Sequence, residues 1–229
     1  MKFALATIAL CVNLSLAQVG NTVEEGATLQ TSNVDPLVIR ASTGAESKTV
    51  GSSYLKEEWE QATVTDLNIK KKIKLLARFN AYTKEIELLK EKDILVLNPV
   101  DGVSVSLYGK TFVPIKLKNS GKAIFAEVLA KGQTQLFRVY DTKIIKAASD
   151  ATLLNIDNSD KLTITDKLYY QKDNGVVEEL PKKKKQIETL FDKRTKEFIK
   201  AEKLSLKKEE DLQSIIQFMN SSSSTSGSK

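Results

Sequence analysis

Hydrophobic and polar residues alternate through the middle of the chain. Ile73, Leu75, Ala77, Phe79 and Ala81 interleave with Lys74, Leu76, Arg78, Asn80 and Tyr82, a period of two that sets one face of a β-strand against a core. Thr83-Lys84 turns the chain into Glu85–Leu89. Val103, Val105 and Leu107 alternate with Ser104 and Ser106, and Gly109-Lys110 leads into Thr111–Leu117. Ser120-Gly121 precedes Ala123–Ala130, and Lys131-Gly132 joins that run to Thr134–Ile145. Asp173-Asn174-Gly175 separates Leu168-Tyr169-Tyr170 from Val176-Val177, and Asn-Gly between apolar runs is a strong hairpin signal. Short turns make neighbouring strands antiparallel. The pattern predicts an antiparallel meander of eight to ten short strands over Ser53–Pro181, closing into a barrel or curling over itself.

The period changes after Pro181. Ile187, Leu190 and Phe191 share one helical face, as do Phe198 and Ile199. Leu212, Ile215, Ile216 and Met219 recur at i, i+3, i+4 and i+7, the apolar stripe of a surface helix. Pro181 suits a first helical turn, and Ser205 is the expected N-cap of the last helix. Glu209, Glu210 and Asp211 would favour that helix's positive end. Two to three short amphipathic helices over 182–220 are expected to pack on the sheet, giving an α+β fold.

The two ends read differently. Met1-Lys2, an apolar run to Leu16 and Ser15-Leu16-Ala17 are the parts of a secretory signal peptide, too short to span a bilayer. Cleavage is expected after Ala17, with export to the periplasm or beyond. Cys11 invites a lipoprotein reading, but Leu10 before it is not small and Cys11 sits inside the apolar run. Residues 18–52 form a polar leader, apolar only at Leu37-Val38-Ile39, with one short strand expected at Pro36–Ala41. The Ser-rich stretch 221–229 reads as a disordered tail.

Composition narrows the chemistry. The chain has 229 residues, no histidine and one cysteine. Loss of the signal would leave neither His nor Cys, excluding disulfides, thiolate nucleophiles, His-containing triads and His or Cys metal sites. No cofactor is expected. The net charge of +6 is unevenly placed: residues 18–181 carry 22 charges of each sign, whereas Lys182–Lys208 carries eleven basic and four acidic side chains.

Gly51-Ser52-Ser53-Tyr54-Leu55, Glu58-Trp59, and Ala77-Arg78-Phe79-Asn80-Ala81-Tyr82, with the ending Leu206–Leu212 and Phe218-Met219-Asn220, resemble uncharacterised exported proteins of Bacteroidota, flavobacteria in particular. The resemblance covers about Gly51–Asn220. It implies an exported envelope protein and carries no activity, ligand or site residue.

Candidate chemistry is sparse. Lys182, Lys183, Lys184 and Lys185 form a run that would attract an anionic membrane surface, although charge runs are commonly solvated faces. Nucleic acid is disfavoured, since stacking aromatics are absent from that segment. Asn155, Asp157, Ser159 and Asp166 echo the spacing of a calcium loop, but Asp160 stands where Gly is needed, and an Asx-rich turn accounts for them. The paired acids Glu57-Glu58, Glu178-Glu179 and Glu209-Glu210 do not converge by adjacency, because consecutive strand residues face opposite ways. Trp59, Tyr54, Phe79, Tyr82, Phe112, Phe125, Phe137 and Tyr140 suit a core, with a barrel cavity as the alternative. Only one of Tyr169 and Tyr170 can point inward. The expectation is therefore an exported, non-enzymatic binding or structural module, with no catalytic residue to name. A hydrolase using distant carboxylates and a peripheral binder of anionic membranes are the alternatives. An envelope protein or an anionic surface is the expected kind of partner.

Overall fold

The computed structural model describes residues 39–41, 50–118, 120–146 and 159–223. The expected signal peptide with Cys11, most of the leader, Asn155–Asn158 of the calcium-like stretch and the last six residues lie outside them. The chain is an α+β protein, an open antiparallel sheet followed by three helices. The strands are β1 (Ile39–Ala41), β2 (Glu60–Asp66), β3 (Lys71–Asn80), β4 (Glu85–Lys90), β5 (Asp93–Leu97), β6 (Val103–Leu107), β7 (Lys110–Lys116), β8 (Ala123–Ala130), β9 (Thr134–Ile145), β10 (Lys161–Lys172) and β11 (Glu178–Glu179). The helices are α1 (Lys184–Glu188), α2 (Lys193–Ala201) and α3 (Glu209–Ser223).

Strand order is β1-β5-β4-β3-β2-β6-β7-β8-β9-β10-β11. From β2 to β11 the meander holds except between β5 and β6, which are four positions apart, and β1 adds to the free edge of β5. In a flat sheet that separation is about 19 Å, close to the full reach of the intervening residues 98–102. That link is not extended, because Val103 N–H donates to Val100 O at 3.2 Å and Leu67 N–H to Gly102 O at 2.9 Å. The sheet must therefore curl. Its curl brings β8 against the β3–β4 turn, where Phe125 N–H donates to Lys84 O at 3.1 Å. Lys84 pairs with Asp141 and Lys122 with Glu85 across the same contact.

The alternation of β3 is realised: Ala77 and Phe79 are buried, while Lys72, Lys74 and Leu76 are exposed. Val103, Val105 and Leu107 of β6 join them, with Ile86, Leu88, Leu97, Phe112, Phe125 and Tyr140, in one core inside the curl. Phe79 and Phe112 stack at 4.9 Å between centroids, with Tyr140 edge-on to Phe79 at 5.7 Å. The aromatics thus serve chiefly as core. Tyr54 and Trp59 instead clasp the Arg78 guanidinium, at 3.7 and 4.3 Å from their ring centroids. Arg78 pairs with buried Glu87 at 2.9 Å. Tyr54, Trp59, Arg78 and Glu87 are therefore one physical cluster.

Several local expectations shift. The β10–β11 turn takes positive φ at Asp173 and Asn174, one residue before the Asn-Gly pair. Pro181 precedes α1 by three residues, so Lys182 and Lys183 lie outside the helix. Ser205 does not cap α3: its hydroxyl accepts Lys207 N–H in a turn before the helix, and its own N–H donates to Asp211. Asp192 does cap α2, accepting Thr195 N–H at 2.8 Å, and its bonds to the Thr195 side chain and N–H hold its carboxyl below the usual range. α3 continues through Ser223, so the first three residues of the expected tail are helical.

Candidate ligand pocket between the sheet and the helices

Directly paired residues of antiparallel strands share a face, so the β9–β10 register orders the inner surface. Tyr140 stands opposite Asp166, Arg138 opposite Leu168, Leu136 opposite Tyr170 and Thr134 opposite Lys172. From one end to the other this strip passes from aromatic core to charged seam, to apolar patch, to a polar rim.

The seam centres on Arg138. Its Nη1 donates to Glu127 Oε2 at 3.2 Å and to Tyr140 Oη at 3.3 Å, and Nη2 binds Glu209 of α3. Its Nε faces Asp166 Oδ2 at 3.6 Å. Glu127, on β8, also accepts Tyr140 Oη at 2.5 Å and Lys110 Nζ at 2.7 Å. Burial disfavours the charged Arg138, yet its bonds to Tyr140 and Glu209 raise its pKa. Burial and the bond to Glu127 push Tyr140 above the tyrosine range. The acids that converge here are paired with cations.

Beyond the seam, Ala130, Leu136, Ile187, Phe191, Leu206, Leu212, Ile215 and Ile216 form a second core under the helices. Phe198 and Phe218 stack at 4.0 Å and join α2 to α3. The end of α3 is pinned by Asn220, whose Oδ1 accepts Thr134 N–H at 2.8 Å. Its Nδ2 donates to Thr134 O at 2.8 Å and Lys131 O at 3.0 Å. Gly132 permits this approach: it holds φ at +146°, and a Cβ there would lie 2.3 Å from Asn220 Nδ2.

Between this core and the rim lies a cavity of about 460 Å³. Leu136, Val176, Leu180, Leu190, Phe191, Leu212, Ile216 and Met219 give it apolar walls, and Thr134, Tyr170, Lys172, Glu178 and Thr189 give it polar groups. Its size falls within the usual range for small-molecule sites, and its mix of apolar walls with a few polar groups is typical of them. Glu178 is its one carboxylate. That group accepts Lys118 Nζ at 2.5 Å and Tyr170 Oη at 3.1 Å, which holds its carboxyl below the usual range. Burial, then Glu178, raises the Tyr170 hydroxyl. Tyr169 faces the other way, against the cluster of Val139 and Val177.

Lys182–Lys185 do not line the cavity. All four are exposed, on the segment linking two of its walls, Leu180 and Thr189–Phe191. Lys184 meets Glu188 at 3.8 Å. The Glu178-Glu179 pair diverges as strand geometry requires, Glu178 to Lys118 and Glu179 to Lys167. Asp166 lies mid-strand and faces Arg138, so it cannot complete a loop begun at Asn155. Sequence reasoning took Leu212, Ile216 and Met219 as packing and missed their second use as a cavity wall. It also missed Lys172 and Tyr170 as rim groups, which only the pairing of β9 with β10 makes visible. Comparison with known proteins found no matching family model, no matching curated protein and no matching solved structure.

Proposed function

We propose that this chain is an exported envelope protein of a Gram-negative bacterium acting as a non-enzymatic binding module, with the cavity between sheet and helices as its ligand site. The observation that carries the reading is the apolar 460 Å³ cavity whose single carboxylate is already paired. A hydrolase using two carboxylates needs both at one substrate bond, about 5–10 Å apart. Here Glu127, Glu209 and Asp166 converge on Arg138 instead.

Titration with a neutral naphthylamine fluorophore tests the site. One saturable site per chain is expected, lost in Ile216→Trp and in Met219→Trp, both of which fill the cavity from α3. Binding unchanged in both variants, with folding retained, would place the site elsewhere. Export is tested by sequencing the mature N-terminus: Gln18 is expected, and a diacylated Cys11 overturns that expectation. A second reading, attachment to anionic membrane, draws on the exposure of Lys182–Lys185. Sedimentation with anionic but not neutral vesicles in low salt supports it, and equal recovery removes it.

A further inference from the structure

Lys172 is the cation at the cavity's rim. It is exposed and makes no ion pair among the described residues, whereas the other charged lining group, Glu178, is neutralised by Lys118. Asp192, at the start of α2, feels the Lys172 charge but lies beyond ion-pair distance and spends its carboxylate on the Thr195 cap. Thr134 and Lys172 are the last pair of the β9–β10 ladder, and Leu136 follows on the same face. The cavity is therefore polar and cationic where the ladder ends and apolar further along it. The segment that supplies Leu180, Thr189, Leu190 and Phe191 to its walls also carries the four exposed lysines, so the field around the site is positive.

Resting on the binding-module reading, we infer that the cavity takes a single-chain amphiphile with an anionic head, its tail against Leu136, Leu180, Phe191, Ile216 and Met219 and its head at Lys172. A cavity at the smaller end of ligand sites holds one chain, and the unpaired ammonium selects the head. An anionic head beside the Lys172 ammonium is electrostatically complementary to it, which favours it over a neutral or cationic head of the same length.

Displacement of the neutral naphthylamine by decanoate, decanol and decyltrimethylammonium, each below its micellar concentration, tests the inference on the full chain. Decanoate is expected to bind about tenfold tighter than decyltrimethylammonium. Lys172→Gln should weaken decanoate by about tenfold and leave decanol unchanged, and Lys172→Arg should restore it. Equal affinity for the three probes, or a decanoate preference that Lys172→Gln leaves intact, overturns the assignment of the head while the pocket reading stands. If neither the naphthylamine nor any of the three binds, the pocket reading falls with it. Lys172 is exposed, so these variants should keep the parent circular dichroism spectrum.

Discussion

Asn220 and Tyr108 each satisfy backbone groups that the sheet leaves open. Asn220 takes both backbone groups of Thr134, at the start of β9, and so holds the C-terminal part of α3 over the cavity. Asn220→Ala should cost about 2 kcal/mol, readable as a lower urea midpoint, and should weaken probe binding by loosening the α3 wall. Gly132→Ala should act in the same direction, since its Cβ would strike the Asn220 amide and its φ is one that L residues rarely adopt. Tyr108 works differently. β2 leaves β3 at Glu60, and beyond that point Phe79 O is met by Leu55 N–H and Phe79 N–H by the Tyr108 hydroxyl at 3.3 Å. Tyr108 itself sits at φ 57° in the β6–β7 turn, beside Gly109 at 70°. Tyr108→Phe should therefore cost about 1 kcal/mol by orphaning that N–H, a loss that thermal unfolding would register. No sequence pattern announces either role, because both depend on where a distant strand stops.

At the level of elements, alternation explains β3 and β6 almost residue by residue, because a period of two needs only the strand's own geometry. The same alternation held a second signal. Arg138 stands in phase with Leu136 and Tyr140, Glu127 with Phe125, and Asp166 with Ile164 and Leu168. A charge at core parity on three strands is what the seam looks like in sequence, and the register brings the three together. Arg138 is 19% exposed and Glu127 8%, so removing one partner strands the others. Arg138→Met should cost about 3 kcal/mol, whereas Lys110→Met, which leaves Glu127 its bonds to Arg138 and Tyr140, should cost less. Chemical denaturation of the two variants gives the order, and the reverse order would contradict the seam as described. Sheet order, by contrast, was not legible: nothing in residues 98–102 says that the strand after β5 crosses to the far side of β2. The cavity depends on the pairing of β9 with β10 and on helix docking, so it too was out of reach.

For the whole molecule, ionisation makes a directional statement about stability. Burial raises Tyr54, Tyr108, Tyr140, Tyr169 and Tyr170 above the ordinary tyrosine value. Lys110 is also raised, its bonds to Glu127 and Tyr140 outweighing burial. The folded chain thus holds these protons after the unfolded chain has begun to release them. Stability from this source is complete below about pH 10 and declines as pH rises through the raised values. Urea midpoints should be flat from neutral pH up to that point and fall above it; a midpoint unchanged in strong alkali would contradict the tyrosine environments. The basic segment Lys182–Lys208 gives the chain its positive charge, and the last strands and the helices together give it its cavity, so binding is the property in which sequence and fold meet. Methyl-resolved NMR during decanoate titration examines that most directly. Shift changes that saturate at one equivalent and concentrate on Leu136, Val176, Leu180, Leu212, Ile216 and Met219 are the predicted result. Changes spread over the surface, or gathered on the core around Leu88 and Leu97, would contradict it.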